Sequence, residues 1–212
     1  MSQRQDHNDL YQKSSSGAGS EDAILLSGRT KHPTDWSPDG RFILYRALDP
    51  NTNLELWVLP LAGDRKPIPF FKATFGVSHG QFSPDGRWVA YASNESGKWE
   101  VLVAPFPGRG GNWKVSSAGG SEPRWRRDGK ELFYLAPDGE LMAVEVKEGP
   151  TFEADVARPL FQTRRREQIS SVDLFSYDVS ADGQRFLVNT DVGEVTSSSL
   201  TVVLNWTAEL KK

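Results

Sequence analysis

The segment Gly76-Val77-Ser78-His79-Gly80 is the closest match in this chain to a catalytic motif. It fits Gly-x-Ser-x-Gly, in which a sharp turn between a strand and a helix exposes a serine nucleophile. That arrangement also needs an acid and then a histidine later in the chain. A strand-like run and the Ser83-Pro84 turn follow instead, and His79 is the last histidine. We therefore predict that the chain has no catalytic residues and is not an enzyme.

The sequence also contains no clear pattern of metal-binding or cofactor-binding residues. Three histidines occur, His7, His32 and His79, and we expect them in a tail and in links between strand groups, not together around a metal. The segment 49–53 places Asp49, Asn51 and Asn53 at the spacing that opens a calcium loop, but Leu54 stands at the glycine position of such a loop and Pro60 at its glutamate position. Cysteine is absent, which excludes thiolate ligands. We predict no metal and no cofactor.

An Asp-Gly pair recurs four times, each time after a bulky apolar residue and before a strand-like run. In such turns the aspartate accepts hydrogen bonds from nearby backbone N–H groups, and the glycine adopts a positive φ. We predict that these residues stabilise turns, and the alternative is a ring of functional aspartates. The pairs are Asp39-Gly40, Asp85-Gly86, Asp128-Gly129 and Asp182-Gly183.

The spacing of these turns predicts the architecture. Repeats of about 40–50 residues that contain several short strands are typical of a β-propeller. We predict an all-β fold, a β-propeller of four-stranded antiparallel blades with about four and a half blades. The predicted limits are a polar tail at 1–8, repeats over 9–207 (a partial blade at 9–27 and blades at 34–74, 79–118, 121–164 and 175–206) and a tail at 208–212.

The number of blades leaves two interpretations. We favour part of a six-bladed or larger ring, in which loss of residues 1–15 hardly affects folding. The alternative is a compact four-bladed ring, closed by pairing residues 21–27 with 200–206. Open blade edges in the first case favour self-association.

Charge and hydropathy exclude some partners. The net charge of −3 gives no basic face for nucleic acid, and we expect the basic run 164–166 to be a solvated loop. No apolar run approaches the ~18 residues of a membrane span, and the first 23 residues lack the apolar core of a signal peptide. Of the seven tryptophans we expect at least five in the core. Trp99 and Trp113 flank turns and are the candidate binding aromatics.

The repeats resemble a known class. The segments 36–41, 82–91 and 177–187 are similar to TolB-type propeller repeats, and the resemblance covers about residues 9–206. The segments 121–134 and 202–206 resemble the C-terminal propeller of bacterial serine/threonine protein kinases. That resemblance implies a kinase domain, often followed by a membrane helix, before the propeller. The chain itself carries no kinase motif.

These observations predict a non-catalytic propeller that binds a protein, a peptide or a small ligand at one ring face. Such a module belongs outside the cytoplasm if it follows a membrane-anchored kinase, and in the cytoplasm otherwise. Similar repeats also form the propeller of prolyl-oligopeptidase-type peptidases. The alternative function is therefore a propeller that gates access to a separate hydrolase domain.

Overall fold

The computed structural model describes residues 8–49, 53–71, 74–108, 110–163, 175–190 and 201–204. Every regular element in these residues is a β-strand, which confirms the all-β prediction. The strands are β1 (Leu10–Gln12), β2 (Asp22–Leu25), β3 (Lys31–Trp36), β4 (Phe42–Asp49), β5 (Asn53–Pro60), β6 (Ile68–Phe71), β7 (Val77–Phe82), β8 (Trp88–Ser93), β9 (Glu100–Pro105), β10 (Trp113–Lys114), β11 (Ser121–Trp125), β12 (Glu131–Leu135), β13 (Glu140–Lys147), β14 (Glu153–Ala154), β15 (Arg158–Gln162), β16 (Tyr177–Val179), β17 (Arg185–Val188) and β18 (Thr201–Leu204).

The strands form a series of antiparallel sheets in chain order. Two sheets have four strands, in the orders β3-β4-β5-β6 and β7-β8-β9-β10. In the next sheet β11, β12 and β13 are neighbours, and β13 pairs with β15 along one part and with β14 near its end. The last sheet is β16-β17-β18, and β1 and β2 form a separate hairpin. Consecutive sheets of this kind are propeller blades, as predicted.

The pairing of β4 with β5 places the two ends of the segment 49–53. Strands β4 and β5 pair over their whole length, from Phe42 opposite Pro60 to Asp49 opposite Asn53. Asp49 and Asn53 therefore lie opposite each other at the end of this strand pair, and residues 50–52 are outside the described residues. The first strands of two blades start slightly ahead of the predicted limits at 34 and 79, at Lys31 and Val77.

The core lies between neighbouring blades. All residues of β7 and β8 are buried, because each sheet is covered on both faces. Leu44 and Leu56 of one blade pack in the same cluster as Phe82 and Tyr91 of the next. This packing explains why the strands read as continuous apolar runs instead of alternating ones.

The N-terminal hairpin packs on the blade that follows it. Leu10 and Ile24 are buried against Tyr45 and Leu59. Because Leu10 belongs to this core cluster, the structure argues against the expectation that loss of residues 1–15 hardly affects folding. In the described part of the chain β2 pairs with β1 and β18 with β17, so the compact ring closed through these two strands is not observed.

A segment between β13 and β15 reaches back to the preceding blade. The Phe152 ring is buried and lies 5.6 Å from the ring of Trp88 and 5.7 Å from that of Trp113, measured between centroids. The Gly149 carbonyl accepts a hydrogen bond from the Arg87 guanidinium at 3.0 Å. The segment thus joins two blades. No helix in the described residues is long and apolar enough to cross a membrane.

Candidate functional site

The first strands of the blades lie side by side and are joined by hydrogen bonds. The backbone N–H of Phe82 donates to Oδ2 of Asp35 at 2.8 Å, so β7 is joined to β3. Trp125 Nε1 donates to the carbonyl of Gln81 at 3.4 Å, which joins β11 to β7. The N–H of Ser176, just before β16, donates to Oε2 of Glu122 at 2.6 Å. Side chains that are far apart in sequence converge along these strands.

Backbone irregularities mark the middle of the same strands. His79 has a φ of +52° and Glu122 a φ of +57°, both in the left-handed region that side chains seldom adopt. The pairing register shifts between Ser78 and Gln81, and β3 and β11 have comparable shifts. Such bulges redirect side chains and are frequent next to functional sites. The first strands are therefore the part of the blades that is the best candidate for a ligand-binding site.

A charged and aromatic group lies on these strands, which we call the inner-strand cluster: Asp35, His79, Arg124, Phe175 and Asp178. The Arg124 guanidinium carbon lies 3.8 Å from the centroid of the Phe175 ring, a cation–π contact. Its Nε lies 3.8 Å from Oδ1 of Asp178. His79 is buried and meets the Phe175 ring edge-to-face at 5.0 Å between centroids. The cluster thus joins residues of four blades.

The two carboxylates of the cluster, Asp35 and Asp178, differ in how far they are removed from water. Burial raises the pKa of the Asp35 carboxyl above its ordinary value, although the N–H groups of Phe82 and Trp36 and the charge of Arg124 act against the increase. The Asp178 side chain is 64% exposed, and that of Arg124 is 21% exposed. A partly desolvated cation beside an accessible carboxylate can contact a ligand that offers both an acceptor and a donor.

The four Asp-Gly pairs form the predicted turns. Oδ1 of Asp39 accepts hydrogen bonds from the Ser37 hydroxyl at 2.7 Å and from the N–H of Arg41 at 3.0 Å, and Ser37 Oγ accepts one from the N–H of Phe42. Asp85 and Asp182 repeat this pattern with Ser83 and Ser180. The four turn glycines have a φ between +71° and +76°: Gly40, Gly86, Gly129 and Gly183.

The third turn departs from the serine pattern. Arg126 takes the serine position, and its Nε donates to Oδ1 of Asp128 at 2.7 Å. The N–H of Lys130 donates to the same oxygen at 3.0 Å. All four turn carboxylates are therefore engaged locally, which supports the prediction that they stabilise turns.

The serine of the Gly-x-Ser-x-Gly match is not placed for nucleophilic attack. Ser78 is the second residue of β7 and is 1% exposed, and a turn, not a helix, follows that strand. Gly80 is required for packing, because a Cβ there would lie 2.6 Å from a methyl carbon of Leu44 and 2.8 Å from one of Leu56. The match therefore reflects close contact between blades.

The histidine prediction was wrong for two residues. His32 and His79 were expected in links between blades, but they lie on β3 and β7 because these strands begin earlier than predicted. His7 lies outside the described residues, as does the basic run 164–166. Among the described residues no group of three or more His, Cys, Asp or Glu side chains could hold a metal ion.

The two candidate binding tryptophans are half-buried. Trp113 packs edge-to-face on Trp88, at 5.5 Å between centroids, and contacts Phe152. A ring carbon of Trp99 lies 3.2 Å from the position that a Cβ at Gly76 would take. The more exposed tryptophan is Trp36, at 50%. Sequence reasoning missed it because Trp36 precedes an Asp-Gly turn in the same way as the buried Phe82 and Trp125.

Sequence reasoning also missed the inner-strand cluster. Arg124, Phe175 and Asp178 belong to no motif, and their separation in the chain gives no signal of contact. The only usable indication was their position at or just before the first strand of a blade, since loops and strand ends that converge in a propeller form its binding faces.

Comparison with known proteins supports the architecture. No protein-family model matches the chain, and no curated protein sequence does so. Among solved structures, TolB from Acinetobacter baumannii is 20% identical with a TM-score of 0.72, and the match covers 96% of this chain and 48% of TolB. Oligogalacturonate lyase from Vibrio parahaemolyticus is 11% identical with a TM-score of 0.60, over 89% of this chain and 55% of the lyase.

A third similar structure is the tricorn protease, which is 12% identical with a TM-score of 0.54, over 90% of this chain and 27% of the protease. The chain thus spans about half the length of TolB and of the lyase. At these identities the similarity shows a shared TolB-like propeller fold, and propellers with this fold have many different activities.

Proposed function

We propose that this chain is a non-catalytic binding module whose ligand contacts the inner-strand cluster. The observation that carries the proposal is the Arg124 guanidinium, which stacks on Phe175 and lies beside the exposed carboxylate of Asp178. These groups come from neighbouring blades, so their arrangement depends on the assembled propeller.

The chemistry of the cluster favours a peptide segment as ligand. The stack on Phe175 holds the guanidinium plane and leaves N–H groups for a carbonyl or carboxylate acceptor. Asp178 accepts hydrogen bonds from amide or amino donors, and the aromatic ring supplies apolar contact. A peptide backbone presents such acceptors and donors close together. A small ligand with both kinds of group is the second choice.

Selection of random displayed peptides on the immobilised chain tests this proposal. We expect the selected peptides to bind saturably to the native chain and to lose tenfold or more in affinity with Arg124→Gln. Asp178→Asn should weaken the same peptides, because the amide presents a donor beside the acceptor oxygen. Val156→Ala is the matched control, since Val156 is fully exposed and lies outside the cluster.

Peptides that bind Arg124→Gln and Asp178→Asn as well as the native chain would place the binding site elsewhere. An absence of enriched peptides would contradict a peptide ligand. Circular dichroism of each variant shows whether the fold is retained, so that lost binding is not mistaken for unfolding.

We also propose that the module belongs to the C-terminal region of a bacterial serine/threonine kinase. The support is the resemblance of the segments 121–134 and 202–206. In a membrane-anchored kinase the module would lie outside the cytoplasm and act as a sensor. The genomic sequence on either side of the coding region tests this origin: a kinase domain upstream is expected.

The alternative is a propeller that gates a hydrolase. The similarity of fold to the tricorn protease is the observation that keeps this function under consideration. A hydrolase domain encoded downstream would favour this function over the kinase.

A further inference from the structure

The Asp178 carboxylate is the exposed acceptor of the inner-strand cluster. Its Oδ1 accepts the N–H of Val179 at 2.9 Å and lies 3.8 Å from Nε of Arg124, which is too far for a hydrogen bond. Within the described residues no hydrogen bond or ion pair reaches Oδ2. The side chain is 64% exposed, so the carboxylate is open to a donor from outside the chain.

The Arg124 guanidinium also has unused hydrogen-bonding capacity. It stacks on the Phe175 ring, and it makes no hydrogen bond to any described residue. Its Nε is buried without a hydrogen-bond partner, while the side chain as a whole is 21% exposed. A guanidinium has five N–H donors, and donors that are partly desolvated are costly to leave unpaired. An acceptor on the ligand would therefore be stabilised here.

The described part of the cluster has more negative than positive side chains. Asp178 and Asp35 share the single guanidinium of Arg124, whose charge lowers the pKa of the Asp35 carboxyl against the raising effect of burial. One guanidinium balances only one of two carboxylates. The accessible one, Asp178, is thus left to attract a positive group on the ligand.

We propose that the cluster binds the free amino end of a peptide, with the α-ammonium on Asp178 and the first carbonyl oxygen on Arg124. This inference rests on the peptide-binding function proposed above and specifies which part of the peptide is bound. The α-nitrogen and the carbonyl oxygen of one residue are three bonds apart, or about 3 Å. That spacing suits a carboxylate and a guanidinium that lie 3.8 Å from each other.

Other parts of a peptide fit the two groups less well. An internal peptide unit has a donor but no positive charge, and a carboxyl end would bring a second negative charge to Asp178. A lysine side chain carries its ammonium on a four-carbon stem, with no carbonyl beside it. Only the amino end combines a cation with an adjacent acceptor, and capture of such ends is a known mode of peptide recognition.

Matched synthetic tetrapeptides test the inference. One random library has free amino ends and amidated carboxyl ends, and a second library has the same sequences with acetylated amino ends. At about pH 7 most α-amino groups are charged. We expect acetylation to lower the affinity of each binding sequence about tenfold or more, measured by isothermal titration calorimetry, because a charge-assisted hydrogen bond is lost. Acetylated sequences with lysine should bind no better than those without it.

Variants of the chain locate the effect. Asp178→Asn should weaken the free peptides more than the acetylated ones and reduce the preference to less than about threefold, because it removes the charge that attracts the ammonium. Arg124→Gln should weaken both forms, since both contain the first carbonyl. Asp64→Asn is the matched control, because Asp64 is exposed and lies outside the cluster, and it should leave the preference unchanged. Circular dichroism shows whether each variant is folded.

The possible failures are distinguishable. Equal affinity of free and acetylated peptides would overturn the amino-end inference, while peptide binding that depends on Arg124 would stand. Selection of acetylated lysine peptides would identify a side-chain cation and overturn it as well. A preference for free amino ends that persists in Asp178→Asn would place that recognition elsewhere. An absence of binding in both libraries would contradict the peptide ligand and this inference together.

Discussion

Lys31 and Asp9 form an ion pair that is almost wholly removed from water. Lys31 Nζ lies 2.5 Å from Oδ1 of Asp9, and the two side chains are 2% and 15% exposed. Lys31 Nζ also donates to the carbonyls of Arg29, at 2.8 Å, and of Ser27. The pair joins the segment before β1 to the first strand of the next blade. It makes the N-terminal hairpin part of the folded structure.

Truncation at the N-terminus should therefore depend sharply on where it ends. We expect removal of residues 1–7 to change the stability much less than removal of residues 1–15, because it keeps Asp9 and the Asn8 carbonyl, which accepts a hydrogen bond from the Lys31 N–H at 3.0 Å. Removal of residues 1–15 takes away Asp9 and leaves the Lys31 ammonium buried without this partner, which costs about 3–5 kcal/mol of unfolding free energy. Urea denaturation of both truncations measures the difference, and equal midpoints would contradict it.

Gly80→Ala should destabilise the junction between two blades. The new methyl group would overlap side-chain carbons of Leu44 and Leu56, and overpacking of this kind costs about 1–3 kcal/mol. Gly28→Ala is the matched control, because no heavy atom lies within 4 Å of its Cβ position. A shift of the thermal midpoint in both variants, or in neither, would argue against the packing role of Gly80.

Phe152→Ala should weaken the link between the blade β7-β8-β9-β10 and the blade that follows it. The ring is buried among Trp88, Trp113 and Trp125, and loss of such a side chain costs about 3–5 kcal/mol. The near-ultraviolet circular dichroism of the tryptophans should decrease as well. Val156→Ala, four residues away and 86% exposed, should change the stability by less than about 0.5 kcal/mol. Equal stability of Phe152→Ala and Val156→Ala would show that Phe152 does not stabilise the contact between the two blades.

Asp85→Ala should cost stability in a pH-dependent way. Burial raises the pKa of the Asp85 carboxyl, but hydrogen bonds from Ser83 and Arg87 outweigh it and hold the pKa below its ordinary value of 3.8. A pKa that is lower in the folded state means that the contribution is fully present above about pH 4 and is lost as the pH falls through the folded value.

We therefore expect Asp85→Ala to cost about 1 kcal/mol at pH 7, a figure kept small because the carboxyl is partly exposed to solvent, and progressively less as the pH falls below about 4. Thermal midpoints of native chain and variant at several pH values measure the gap. The exposed Asp64 serves as control, and Asp64→Ala should change the midpoint at pH 7 by less than Asp85→Ala. Lost ligand binding with an unchanged midpoint would instead indicate a functional aspartate.

Ser78→Ala and the native chain should both lack hydrolytic activity. Ser78 is buried in β7, and we expect the purified chain not to turn over peptide, ester or ATP substrates. Hydrolysis measured with a fluorogenic peptide, a nitrophenyl ester and ATP provides the check. Activity that survives purification and disappears in Ser78→Ala would restore a nucleophilic serine.

The repeat, the strands and the turns were predictable from local sequence. A turn such as Ser37–Phe42 is closed by hydrogen bonds between residues at most five positions apart, so its residue pattern is visible in the sequence. The glycine of each Asp-Gly pair likewise predicts a positive φ, and Gly40 and its three counterparts have one. Repetition of these local signals predicts a propeller because each blade needs a neighbour to cover its faces.

Contacts between side chains of different blades could be identified only from the tertiary structure. Trp36 and Trp125 each precede an Asp-Gly turn, but Trp36 is 50% exposed whereas Trp125 is buried in a cluster with Trp88 of the preceding blade. Arg124 reaches Phe175 and Asp178 from about fifty residues away in the chain. No periodic pattern records such a contact, because it depends on how one folded sheet packs on the next. The candidate site is therefore a property of the assembled blades, while the blades themselves follow from local sequence.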